Sequence, residues 1–235
     1  MTEKLFWSDM YCRVFDAKVI AVEETRVQLD RTAFNPRGGG LVSDTGTLGG
    51  LPVAEVTKVG ESIFHVMQAP VNWSVGDAVH GELDWERRYR IMRMHTSAHI
   101  LSAVVHRESG ALITGNQISP DESRVDFNLA DFDKEKIASY VDGVNRAVGR
   151  GLDVKTYFMK RELALATPGF VKLANAMPPT LAELRIVQIG DVDTQADGGV
   201  HVANTREIGK VAVVKTENKG KDNRRLYFTV QDARV

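Results

Sequence analysis

The chain of 235 residues has a single cysteine, Cys12. That excludes any internal disulfide and any cysteine-rich zinc site, so a metal here must be held by His, Asp or Glu. It also has no apolar run near the roughly 18 residues that span a membrane. The opening stretch "MTEKLFWSDMYCRVF" lacks the basic-then-apolar layout of a secretory leader. A reducing, cytoplasmic setting without membrane attachment is therefore expected. Charge of one sign is lacking as well: 30 basic against 31 acidic residues leave a net charge of −1. A polyanion would find local basic patches only, not a global field. No internal repeat, coiled coil or low-complexity tract is present. With 43% apolar and 26% charged residues, the composition is that of a globular protein with room for one large or two ordinary domains.

Residues 11 to 83 read as a run of strands. "RVFDAKVIAV" and "TRVQLD" carry β-branched apolar residues around the polar turn "EET". "LPVAEVTKVG", "SIFHVMQ" and "DAVHGELD" follow, with Gly, Pro or Asn breaks between them. This spacing predicts a small β-barrel or sandwich. The character changes at "WERRYRIMRMHTSAHILSAVVHRESG", where Met94, Ala98, Leu101 and Val105 recur at helical spacing and Gly110 closes the segment. The expected boundary lies near Trp85, giving domains of residues 1–85 and 86–235. In the second, "ALITGNQIS" and "SRVDFNL" read as a strand pair turning at Pro120–Asp121. "DFDKEKIASYVDGVNRAVGRG" reads as an amphipathic helix, and "LDVKTYFM" as a strand. "RELALATPGFVKLANAMPP" reads as short helix and loop, and "LRIVQIG" as a further strand. The tail from Glu207 reads as a hairpin with a basic turn. The whole is an α+β chain.

Three stretches carry chemistry. In "HTSAH", His95 and His99 stand four apart, on one helical face and about 5–6 Å apart at Cβ. A metal ion is one reading of that pair, and an ordinary helix with two tolerated histidines is the other. His106 shares the face but lies about 10 Å along the axis from His99, too far to share an ion. In "DTQADGGVHVANTREIG", Asp197, a glycine pair and His201 form a D-x-x-x-H element in which the glycines permit a tight backbone path. Three imidazoles and a carboxylate are ordinary zinc donors. In "FNPRGGGLVSDTG", three glycines, Gly38, Gly39 and Gly40, stand together. No Lys-Ser or Lys-Thr follows them and no G-x-G-x-x-G opens a helix, so no nucleotide cofactor is expected.

Taken in this order, the three stretches resemble the editing module of alanyl-tRNA synthetase and its freestanding relatives, the alanyl-tRNA editing proteins of medium length (AlaX). That family has a glycine-rich F-Y-P-x-G-G-G-Q-P-x-D-x-G segment, an H-x-x-x-H helix and a C-G-G-T-H element. The resemblance spans nearly the whole chain. It implies a β-barrel-like first domain and an α+β zinc-binding editing domain of the threonyl/alanyl-tRNA synthetase type. It also implies one Zn2+ per chain and a trans-editing hydrolase that deacylates mischarged tRNA-Ala, chiefly the seryl ester and secondarily the glycyl one. The family's ligands fall on His95, His99 and His201, with the usual cysteine replaced by Asp197. Ala98 and Val200 stand where the pattern has threonine, Asn35 where it often has tyrosine, and Leu41–Val42 where it has Gln-Pro.

Thr96, Thr114, Gln117 and the Gly38–Gly40 backbone are the candidates for touching the aminoacyl end. Arg87, Arg88, Arg90 and Arg93, with Lys215, Lys219, Lys221, Arg224 and Arg225, are the candidates for tRNA phosphates. Two alternatives from other classes stand beside this one. The first is a non-catalytic tRNA- or RNA-binding module with a structural metal. The second is a metallohydrolase of small esters or amides, although H-x-x-x-H lacks the glutamate of an H-E-x-x-H protease.

Overall fold

The structure is a computed structural model and describes residues 2–130, 133–167 and 182–231. It divides into two compact units, Met1–Ile91 and Met92–Val235. The division falls within a helix that begins at Trp85.

The first unit is built from β1 (Glu3–Lys4), α1 (Leu5–Ser8), β2 (Val14–Glu23), β3 (Arg26–Leu29), β4 (Arg31–Thr32), β5 (Gly46–Leu48), β6 (Leu51–Val59), β7 (Ser62–Met67) and β8 (Ala78–Leu83). Six of these strands pair in the order β2-β3-β7-β6-β5-β8, and β8 pairs back on β2, so the ladder is a closed ring. Alternate residues turn inward, as strand geometry requires: Phe15, Ala17 and Val19 on β2, Val27 and Leu29 on β3, Val79 and Leu83 on β8. Gly81 lacks a side chain for a steric reason, since a Cβ there would lie 2.4 Å from the Phe15 ring. Sequence pattern passed over β5, whose three residues are too few to show alternation.

The second unit opens on α2 (Trp85–Ser109), followed by β9 (Ile113–Gln117), β10 (Ser123–Phe127), α3 (Lys134–Gly149), β11 (Val154–Lys160), α4 (Arg161–Ala166), β12 (Glu183–Ile189), β13 (Asp193–Ala196), a 3-10 turn (Thr205–Ile208), β14 (Lys210–Asn218) and β15 (Arg224–Gln231). One sheet runs β14-β15-β10-β9 and another β11-β12-β13, with all pairings antiparallel. Asp133 caps α3 by accepting the Lys136 amide hydrogen. Tyr140, Gly143, Val144, Ala147 and Val148 are that helix's buried stripe. The "RELALATPGFVKLANAMPP" stretch begins with α4, and residues 168 to 179 of it lie outside the described residues. Among the described residues, no helix is long and apolar enough to cross a membrane.

The chief surprise is α2. Every residue from Ile91 to Val105 is buried, so this helix has no solvent face over four turns. Its polar residues are buried along with its apolar ones, and each needs a partner. Ser97 and Ser102 donate to carbonyls one turn back, Arg93 and Ala98 respectively.

Candidate metal centre

His95 and His99 sit one turn apart on α2, while Asp197 and His201 lie on the loop after β13. The structure brings these four together: one donor atom from each lies within 4.8 Å of every other. Asp197 Oδ2 is 3.5 Å from His95 Nε2 and 3.7 Å from His99 Nε2, and Oδ1 is 3.3 Å from His201 Nε2. A tetrahedral set with bonds of about 2.1 Å would hold its donor atoms about 3.4 Å apart. The spacing and the donor chemistry therefore both suit a first-row divalent ion. The imidazoles are nearly sealed, at 3%, 7% and 0% exposure, whereas the Asp197 side chain is 23% exposed. The group thus opens to solvent on the carboxylate side. His106, by contrast, turns its Nδ1 to the Ala111 carbonyl at the exposed end of α2 and stays apart.

Each ring is aimed from behind. Nδ1 of His95 meets the Val200 carbonyl at 3.2 Å, Nδ1 of His99 meets Asp193 Oδ2 at 3.0 Å, and Nδ1 of His201 meets Thr96 Oγ1 at 3.1 Å. With Nδ1 engaged, Nε2 is the atom that turns inward in all three. Burial, aided by the charge of His95, pushes His201 well below its usual pKa against its hydrogen bond to the Asp197 carboxylate. A neutral ring is the form that can donate a lone pair. Burial alone would raise the Asp197 carboxyl, but the charge of His95 and hydrogen bonds from His201, His95 and His99 hold it well below the usual value.

The loop carrying Asp197 is tied down by its own backbone. Asp197 Oδ1 accepts the Gly199 amide hydrogen at 2.6 Å, a side chain–backbone turn typical of aspartate. Arg185 on β12 donates to the Asp197 and Gly199 carbonyls at 3.1 and 2.9 Å. Beyond His201, Asn204 and Glu207 form a capping box that starts the 3-10 turn.

Residues 184–227 match the family model described as the threonyl and alanyl tRNA synthetase second additional domain. The alanyl-tRNA editing protein AlaX-M of Saccharolobus solfataricus is 44% identical over 98% of this chain and 100% of its own length. The AlaX-M protein of Methanosarcina acetivorans is 41% identical over 99% of this chain and 100% of its own. The chain belongs to the AlaX-M family of alanyl-tRNA editing proteins. It is also similar, at 33% identity over 92% of its length, to a segment making up 25% of the alanine–tRNA ligase of Sulfurisphaera tokodaii.

The other sequence candidates of this family member divide. Thr96 is fully buried; its hydroxyl donates to the Met92 carbonyl and lies behind His201, so it backs a donor ring and is not placed to meet substrate. Arg88 is fully buried in the first unit. Its Nε lies 2.9 and 3.0 Å from the two Asp44 oxygens, and it donates further to the Met10 and Ala33 carbonyls. Arg93 is buried and donates to the Ile208 and Gln231 carbonyls. Neither arginine is on a face that phosphate can reach, because each guanidinium is used up on internal acceptors. Arg87 is half-buried, with its guanidinium on the Ser43 carbonyl, and Arg90 is half-buried too.

Lys215, Lys219 and Lys221 are exposed on and around the β14–β15 turn. Arg224 is bonded to Asn218, and Arg225 makes a two-pronged cross-strand pair with Asp126 at 2.7 and 2.8 Å. Thr114 and Gln117 are exposed on β9; Thr114 bonds Asn223 and Gln117 accepts from Arg124. Gly38 and Leu41 close a small exchange of backbone hydrogen bonds. Gly39 and Gly40 take positive φ of 59° and 91° within it. Sequence reasoning missed Asp193, Gln195 and Arg185. The D-x-Q-x-D spacing of residues 193, 195 and 197 was the available signal, since strand alternation points all three one way.

Proposed function

We propose that the chain deacylates mischarged tRNA-Ala, chiefly the seryl ester and secondarily the glycyl one, while sparing correctly charged alanine, with one zinc ion at His95, His99, Asp197 and His201. The observation that carries this reading is the convergence of three inward Nε2 atoms on one partly exposed carboxylate. Members of the alanyl-tRNA editing family are deacylating hydrolases, and this chain is one. A synthetase pocket shaped for alanine cannot fully reject a side chain one hydroxyl larger or one methyl smaller, so a second hydrolytic sieve is needed.

The substrate ester is already activated. Water adds its oxygen to the carbonyl carbon, the bond from that carbon to the ribose oxygen breaks, and the displaced oxygen leaves as a hydroxyl carrying the proton. A divalent cation held by the four groups would supply positive charge for polarising or orienting the ester. The chain's own part is placement, which contributes several kcal/mol in reactions of this type. The exposed side of Asp197 is where the aminoacyl end enters. Thr114, Gln117 and the Gly38–Gly40 backbone remain the proposed contacts to it. Lys215, Lys219 and Lys221, with Arg87, Arg90, Arg224 and Arg225, are proposed to meet tRNA phosphates. In this reading residues 1–85 form a barrel-like domain bearing the glycine-rich motif, and residues 86–235 form the editing domain.

Deacylation of seryl-, glycyl- and alanyl-tRNA-Ala by the purified chain, with and without chelator, tests it. Hydrolysis of the first two that stops on chelation is the expected result. An inert protein that still binds tRNA would favour the non-catalytic module.

A further inference from the structure

The three donor rings are backed by three different kinds of group. Behind His95 is a backbone carbonyl, behind His201 a hydroxyl, and behind His99 a full carboxylate, Asp193 Oδ2 at 3.0 Å. The Asp193 side chain has no exposure at all. Gln195, two residues along β13 and itself buried, shares that place. Its Nε2 donates to the same Oδ2 at 2.9 Å and lies 2.8 Å from His99 Nδ1, so the amide braces the carboxylate and the ring together. Strand alternation explains the grouping: Asp193 and Gln195 share a face of β13, and Asp197 follows at the next step of the same period. One short segment thus supplies a carboxylate in front of the donor rings and another behind one of them.

Burying a carboxylate is costly unless opposite charge or hydrogen bonds compensate it. The Asp197 carboxylate alone would leave a dication half neutralised. Asp193 brings the second negative charge, one imidazole ring away, and polarises His99 toward a more basic donor. This chain has no cysteine at the site to deliver that charge directly.

We propose that Asp193 is a positioning residue that tightens the metal centre by its charge, acting through His99, and not only by holding the ring in place. The proposal rests on the metal reading above.

The test titrates zinc into the metal-stripped full chain against a chromogenic chelator, comparing Asp193→Asn with Thr96→Val. Asparagine keeps a hydrogen-bond acceptor behind His99 but removes charge; valine removes the hydroxyl behind His201 without changing charge. Asp193→Asn is expected to weaken zinc binding about 10- to 100-fold, and by more than Thr96→Val. Binding within twofold of the unmodified chain, or a larger loss from Thr96→Val, overturns the proposal. Should Asp193→Asn not fold, Asp193→Glu against Asp193→Gln makes the same comparison. The charged variant is expected to bind at least tenfold more tightly, and equal affinity overturns the proposal. An unmodified chain that takes up no zinc would refute the metal reading itself, which separates the two failures.

Discussion

Thr96 Oγ1 and His201 Nδ1 lie 3.1 Å apart across 105 residues of sequence, and the Val202 amide donates to the same hydroxyl at 3.3 Å. The threonine of "HTSAH" therefore holds the loop that carries Asp197 and His201 against the helix that carries the first histidine pair. A residue that looked like substrate chemistry in the sequence is part of the frame.

The Arg88–Asp44 pair predicts a large stability loss when only one partner is removed. Both side chains are essentially unexposed, so Asp44→Asn leaves an uncompensated buried cation, at a cost of about 3–5 kcal/mol. Asp44 also accepts the Asn35 amide hydrogen at 2.6 Å, which closes the neck of the glycine-rich segment. Urea unfolding is the measurement. The Asp44→Leu/Arg88→Met double variant is expected to lose less than the sum of its singles, because neither charge is then stranded.

His65 predicts acid sensitivity in the first unit. Burial, opposed by its hydrogen bond to the Val27 carbonyl, lowers its pKa from 6.5 to about 4. The folded value lies below the unfolded one, so the stability is fully present above pH 6.5 and is lost as pH falls toward 4. The span corresponds to about 3 kcal/mol. His65→Gln is expected to flatten the dependence of unfolding free energy on pH in that window. An unchanged slope would contradict the assignment.

How much of this was legible in the sequence depended on the kind of residue. The grouping of His95, His99, Asp197 and His201 was legible because i,i+4 spacing and a glycine-framed D-x-x-x-H are local patterns. Arg88 and Arg93 were misread as part of a basic face because burial on every side of α2 is a tertiary fact, and arginine on backbone carbonyls leaves no pattern in sequence. β13 escaped notice because four residues show little periodicity, and with it went Asp193 and Gln195.

Two glycines predict opposite outcomes. Gly39 has φ +59° and open space around it, so a side chain there meets only backbone strain, on the order of 1–2 kcal/mol. Gly39→Val is expected to fold and to lower seryl-tRNA deacylation, and full activity would remove the glycine segment from the mechanism. At Gly46 a Cβ would lie 2.1 Å from the Glu82 carbonyl oxygen. Gly46→Ala is expected to lower the thermal midpoint far more than Gly39→Ala.

Selectivity predicts a role for Gln117. Its exposed side chain on β9 accepts from Arg124 at 3.3 Å, which orients the amide without burying it. A site that hydrogen-bonds a substrate hydroxyl disfavours the analogue lacking it by more than methylene fit alone allows. Gln117→Ala is expected to narrow the seryl/alanyl rate ratio with metal content unchanged. A ratio equal to that of the unmodified chain would remove Gln117 from recognition.

Metal content per chain tests the central claim most directly. After dialysis, elemental analysis of the unmodified protein is expected to find one zinc ion per chain, and His95→Ala and His201→Ala to have lost it. If both variants retain stoichiometric zinc, the ion is not held by the cluster of His95, His99, Asp197 and His201, and the account of this site is wrong.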